Sequence, residues 1–126
     1  MYNSNKKIEN KSLAVLRKDL DDYLKSHYFI YVKALKRKVF LDKLPNAIIH
    51  RKSTRKKRLQ CFLVACDILK YERNYKEKIN GKHEREFEIK GNSVDEMIVG
   101  IHIREEITDK GKNKKLFFVS CFFSKK

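Results

Sequence analysis

Two stretches of this sequence place acid–base and cationic side chains at every second residue: His102 and Arg104 in MIVGIHIRE, and Glu86, Glu88 and Lys90 in HEREFEIKG. On an extended chain alternate residues share a face, about 6–7 Å apart. If the two stretches are neighbouring strands, an imidazole, a guanidinium, an ammonium and carboxylates meet on one polar face. An imidazole titrates near neutral pH and serves as acid or base, while cations stabilise a pentacoordinate phosphate. Together these are what metal-free RNA cleavage through the 2′-hydroxyl requires. The same alternation also describes an ordinary solvated sheet face.

Other chemistries fit less of the sequence. Glu88-Ile89-Lys90 has the Glu-x-Lys form of metal-dependent nucleases, but that chemistry needs an upstream carboxylate on an adjoining strand, and Asp67 falls within an expected helix. The four glycines form no phosphate-cradling loop. Cys61, Cys66 and Cys121 are an odd number of thiols in apolar surroundings and read as buried and free. The four histidines are too scattered to join them around zinc. No metal or other cofactor is expected. Phe117, Phe118, Phe122 and Phe123 are read as core rather than as a base-stacking surface, since adjacent pairs must face both sides of a sheet.

Charge supplies a partner class. The 126 residues carry a formal charge of +15, concentrated in the first half. Residues 1–60 hold 17 basic and five acidic side chains, against 14 and 11 in residues 61–126. The densest run is RKSTRKKR, with Arg51, Lys52, Arg55, Lys56 and Arg58; a second cluster is Lys36, Arg37 and Lys38. Such a field attracts polyanions, of which nucleic acid is the commonest. A solubilising face is the plainer alternative. A hydrophobic share of 41% excludes a disordered polycation, and no apolar run approaches the roughly 18 residues that cross a bilayer. The N-terminal MYNSNKK has no secretory-signal pattern, and with the free thiols this suits a soluble protein of the cytoplasm.

The elements that must position these groups follow from periodicity. Leu13, Leu16, Leu20, Tyr23 and Leu24 predict a helix over about 11–26, with Asn10 or Ser12 as cap. HYFIYV favours a short strand. The following KALKRKVFLDKL suggests a helix ending before Pro45, or one continuous helix over 28–44. A stronger helix is expected from Ser53 or Thr54 to about Tyr71, with Leu59, Phe62, Leu63, Cys66 and Leu69 on one stripe. Strands follow near 84–91 and 97–106, and LFFVSCFF, apolar on both faces, reads as a buried central strand. The expected fold class is α+β: N-terminal helices packed on a C-terminal three- to four-stranded antiparallel sheet. Residues 1–27 would form a helical extension, and 28–126 the main domain.

This element order, ending in Ser120-Cys121-Phe122 on the last strand, resembles the barnase–EndoU–colicin–RelE (BECR) class of small metal-independent ribonucleases, especially its phage and toxin branches. LPNAIIHRKSTRKKRLQCFLVACDIL is similar to their helical portion, and HEREFEIKG, MIVGIHIRE and LFFVSCFF to their strands, over about residues 28–124. The resemblance implies an endoribonuclease acting on RNA, such as tRNA or mRNA. In it His102 is the acid or base, Arg104 and Lys90 stabilise phosphate, Ser120 contacts phosphate, and His50 supplies the basic group brought by the helices. It also implies an acidic antitoxin or immunity protein as partner. The alternative from another class is a non-catalytic nucleic-acid-binding protein or phage-encoded inhibitor, which needs only the basic strip.

Overall fold

The structure is a computed structural model and describes residues 1–44, 54–108, 111 and 113–125. A two-residue strand, β1 (Tyr2–Asn3), precedes the first helix, α1 (Leu13–Ser26). Ser12 caps α1 by accepting the Val15 N–H at 3.4 Å, and Leu16 and Leu20, one turn apart, are buried. The aromatic and β-branched FIYV then forms β2 (Phe29–Val32).

The helix expected next is not there. A turn through Lys36, whose φ is +52°, leads into β3 (Arg37–Phe40), which pairs antiparallel with β2. Ile30, Val32 and Val39 are buried, whereas Phe29, Tyr31 and Lys38 are exposed. That period of two, anchored in the core, overrides the helical spacing of Leu35 and Val39.

The helix expected from Ser53 or Thr54 to about Tyr71 is divided; Ser53 lies outside the described residues. Thr54 makes no side-chain cap, and at Cys61 (φ −100°, ψ 4°) the chain breaks between α2 (Arg55–Gln60) and α3 (Phe62–Tyr71). The strands that follow are β4 (Lys76–Ile79), β5 (Arg85–Asn92), β6 (Met97–Thr108) and β7 (Asn113–Lys125). The break gives each piece its own seat: α2 lies against α1 and β7, while α3 packs on β1, β2, β5 and β6.

The expected α+β architecture, with helices first and a three- to four-stranded antiparallel sheet last, is thereby overturned. Among the described residues seven strands form one mixed sheet in the order β1-β5-β6-β7-β3-β2, with β4 also paired to β5. β1 joins β5, and β3 joins β7, in parallel. The N-terminal half supplies three of the strands: β1 beside β5, and the β2–β3 hairpin, through which β7 becomes an interior strand paired on both edges. β6 takes one edge and β3 the other, with Val39 opposite Leu116 and Phe40 opposite Phe117.

Residues 1–27 contribute β1 to the sheet and Leu16 and Leu20 to the common core. Asp67 and Glu72 of α3 fasten β1: Asp67 accepts from the Tyr2 and Ser4 hydroxyls, and Glu72 from the Tyr2 N–H at 2.5 Å. Ile89, Val99, Ile101, Ile103 and Phe118 face the helices and are buried. Gly91 lets α3 sit close on β5, since a Cβ there would lie 2.7 Å from Ile68 of α3. No described helix is long and apolar enough to cross a membrane.

Candidate functional site

The alternation that buries Ile101 and Ile103 turns His102 and Arg104 to the other face of the sheet. Register then decides their neighbours: His102 lies opposite Glu88, Lys90 opposite Gly100, and Arg104 opposite Glu86. The His102 Nε2 is 3.1 Å from a Glu88 carboxylate oxygen, and Lys90 Nζ is 3.4 Å from the other. Partial burial alone would raise the Glu88 pKa, but the His102 hydrogen bond and the Lys90 ammonium outweigh it and hold the carboxyl below its ordinary value. An ionised Glu88 takes the Nε2 proton position as acceptor, which leaves Nδ1 of the imidazole for a ligand.

Two details hold the imidazole in place. The Phe122 ring stands edge-on to it, with centroids 5.5 Å apart, and Phe122 itself lies over Gly100, where a Cβ would come within 2.4 Å of the ring. Beside the pair is a 240 Å³ depression whose lining includes Lys76, Lys78, Glu86, Glu88 and His102. Arg104 pairs with Glu106 at 3.3 Å, and Lys43 reaches the same carboxylate at 2.5 Å. In this half of the face cations and carboxylates are interleaved.

Ser120 is brought opposite His102 by a bulge. Ile103 pairs with Phe118 and His102 with Ser120, leaving Val119 as the extra residue. The Ser120 hydroxyl does not join the open face: it is buried and accepts a hydrogen bond from Arg58 of α2. Arg58 also donates to Thr54 at 2.9 Å, and its carbonyl accepts from the Cys61 and Cys121 thiols at 3.4 and 3.2 Å. All three cysteines are free and buried. Burial pushes the Cys66 thiol up to about 12, so it is no nucleophile at neutral pH.

The basic candidates separate in space. His50, Arg51 and Lys52 lie outside the described residues. On α2, Lys56 is exposed, while Arg55 and Arg58 are half-buried. In the 36–38 cluster, strand alternation sends Arg37 to the helix-covered side, where it meets Glu105 at 2.6 Å. Lys38 goes to the open side, its ammonium 4.5 Å from the centre of the Phe29 ring. Asp67, the carboxylate considered for a metal, is occupied by Tyr2 and Ser4. Among the described residues no three His, Cys, Asp or Glu side chains are placed to hold a metal ion.

Sequence reasoning missed an aromatic strip continuous with this face. Phe40 lies 5.5 Å from Tyr28, 6.3 Å from Phe29 and 6.2 Å from Phe117 between ring centres. Phe118 is core, as expected, and Phe117, though on the face opposite to it, is also buried at 5% exposed, with the Lys43 ammonium 4.2 Å from its ring centre. The alternation of HYFIYV was the available signal; it becomes readable only once the segment is known to be half of a hairpin.

Comparison with protein-family models, with curated proteins and with solved structures finds no match to this chain.

Proposed function

We propose that the protein is a metal-independent endoribonuclease whose acid–base group is His102, oriented by Glu88. The Glu88–His102 pair, on an open face among cations, is the observation that carries the reading. In the reaction the 2′-hydroxyl gives its proton to Nδ1 of His102 and its oxygen attacks phosphorus. The bond to the 5′ oxygen breaks, that oxygen takes a proton from water, and the hydroxide so formed takes the proton back from Nδ1, leaving a 2′,3′-cyclic phosphate, a 5′-hydroxyl and a neutral imidazole. Arg104 and Lys90 flank the imidazole and offset charge on the phosphorane. The BECR resemblance supports the same chemistry but assigns Ser120 to phosphate, and the burial of Ser120 against Arg58 leaves that role to the open-face cations.

The test is purified protein on total RNA with EDTA present. Cleavage giving cyclic-phosphate ends, with DNA uncut for want of the 2′-hydroxyl, is expected. Full-length RNA at every protein concentration overturns the reading. An acidic antitoxin or immunity protein is the natural antagonist of a +15 chain, and its association rate should fall steeply with salt.

A second reading is a non-catalytic nucleic-acid-binding regulator or phage-encoded inhibitor. The aromatic strip favours it, because stacking requires no acid–base group. Salt-sensitive binding without cleavage would select it.

A further inference from the structure

The two halves of the open face differ in charge. On β5 and β6 nearly every cation is matched by a carboxylate. On β2, β3 and the first part of β7 the outward positions are Phe29, Tyr31, Lys38, Phe40, Lys115 and Phe117, with no acidic residue among them. Lys115 lies 5.2 Å from the centre of the Phe40 ring. Neither Lys38 nor Lys115 forms a salt bridge among the described residues.

Tyr28, Phe29 and Tyr31 are 62%, 40% and 56% exposed. A single exposed ring is ordinary, but adjoining exposed rings on a sheet face that no described helix covers mark a binding surface. Rings carrying bare ammonium groups call for a ligand that is both flat and anionic. Unpaired nucleic-acid bases supply the flat faces, and their phosphates supply the charge that the lysines lack. A duplex keeps its bases stacked on one another and offers only the phosphates.

We propose that this strip is a stacking platform for single-stranded nucleic acid, with bases on Tyr28, Phe29 and Tyr31 and phosphates at Lys38 and Lys115. The inference rests on the reading that nucleic acid is the ligand, and gives that ligand a form: unpaired, and laid across β2, β3 and β7 beside the His102 pair.

The experiment is fluorescence anisotropy with a labelled unstructured 12-nucleotide RNA, the same sequence as a duplex, and wild-type protein beside Phe29→Ala, Tyr31→Ala and Lys38→Ala. The three side chains are outward, so melting temperatures should stay near wild type; a second series with Tyr28→Leu and Tyr31→Leu keeps the apolar bulk and removes the ring. Each ring removal should weaken single-strand binding about five- to 150-fold and duplex binding far less. The chain has six Tyr and no Trp, so quenching of tyrosine emission by the single strand, reduced in Tyr31→Leu, is the second readout. Equal affinity for duplex and single strand, or ring variants with wild-type affinity, overturns the platform while leaving RNA cleavage standing. Dimerisation through the strip with no oligonucleotide bound also overturns it. A wild type that neither binds nor cuts RNA removes the underlying reading as well.

Discussion

His102 on β6 and Glu88 on β5 face each other across one rung of the sheet, Nε2 to Oε2 at 3.1 Å. Neither supports the core: His102 is exposed and Glu88 half-buried, while Ile89, Ile101 and Ile103 hold the other side. His102→Ala should therefore fold normally and lose about 10²–10⁴-fold in RNA cleavage, the usual worth of general acid–base catalysis. Glu88→Gln should cost less, because an amide still accepts from Nε2 but no longer stabilises the imidazolium. Single-turnover rates and thermal melts of both variants check this, and cleavage at wild-type rate in His102→Ala would remove His102 from the mechanism.

The ring that braces His102 depends on a missing side chain. Gly100→Ala places a methyl carbon 2.4 Å from the Phe122 ring, and on a buried strand the ring must move. The overpacking should cost about 1–3 kcal/mol, and cleavage should fall although no reacting group is touched. Combining Gly100→Ala with Phe122→Leu should recover most of the stability but not the rate. Urea midpoints and rates of the three proteins separate the two effects.

Acid should unfasten the molecule at identifiable carboxylates. For Glu72, burial alone would raise the pKa, but the N–H groups of Tyr2 and Asn74 and the terminal ammonium hold it below the ordinary 4.5. Glu106 is lowered in the same sense, its burial outweighed by Lys43 and Arg104. A depressed folded-state pKa contributes stability that is complete above the unfolded value and lost as pH falls through the folded one. Urea midpoints should thus be flat from neutral pH to about pH 5 and decline steadily between about pH 4.5 and 2. Glu72→Gln should lower the plateau and flatten that decline. A midpoint that rises on acidification would contradict the assignment.

How far the sequence revealed this arrangement depended on whether a segment's pattern was settled locally. The alternation through Phe87, Ile89, Val99 and Ile101 placed β5, β6 and the outward side chains of His102, Arg104 and Lys90 correctly, because one face is buried and register follows. The stretch after Val32 was ambiguous. Leu35 and Val39 satisfy a helical spacing, and it takes the pairing of β3 with β2 and, far away in sequence, of Phe40 with Phe117 to decide for a strand. β1 is two residues long and exists through Asp67 and Glu72, contacts that no local pattern announces. For the same reason the basic run 36–38 looked like one patch. Its division between two faces is a consequence of β3 being a strand.

That division yields a sharp contrast. Glu105 is buried, 5% exposed, with Arg37 at 2.6 Å and Arg85 at 3.9 Å as its cationic partners. Arg37 also donates to the Lys114 carbonyl at 3.0 Å, linking β3 to β7. Arg37→Ala would strand a carboxylate out of water with only the longer contact left, and breaking a buried pair from one side costs about 3–5 kcal/mol. Because Arg37 is partly exposed and Arg85 remains, the lower end, about 3 kcal/mol, is expected. Lys38→Ala, one residue on but facing solvent, should change stability by no more than about 0.5 kcal/mol, and the double variant Arg37→Ala with Glu105→Leu should regain most of the loss. If the positive charges of this segment acted as one interchangeable patch, both lysine and arginine variants would leave stability untouched and weaken RNA binding alike. Equilibrium urea unfolding of the variants, run beside the RNA titrations, decides between the two descriptions.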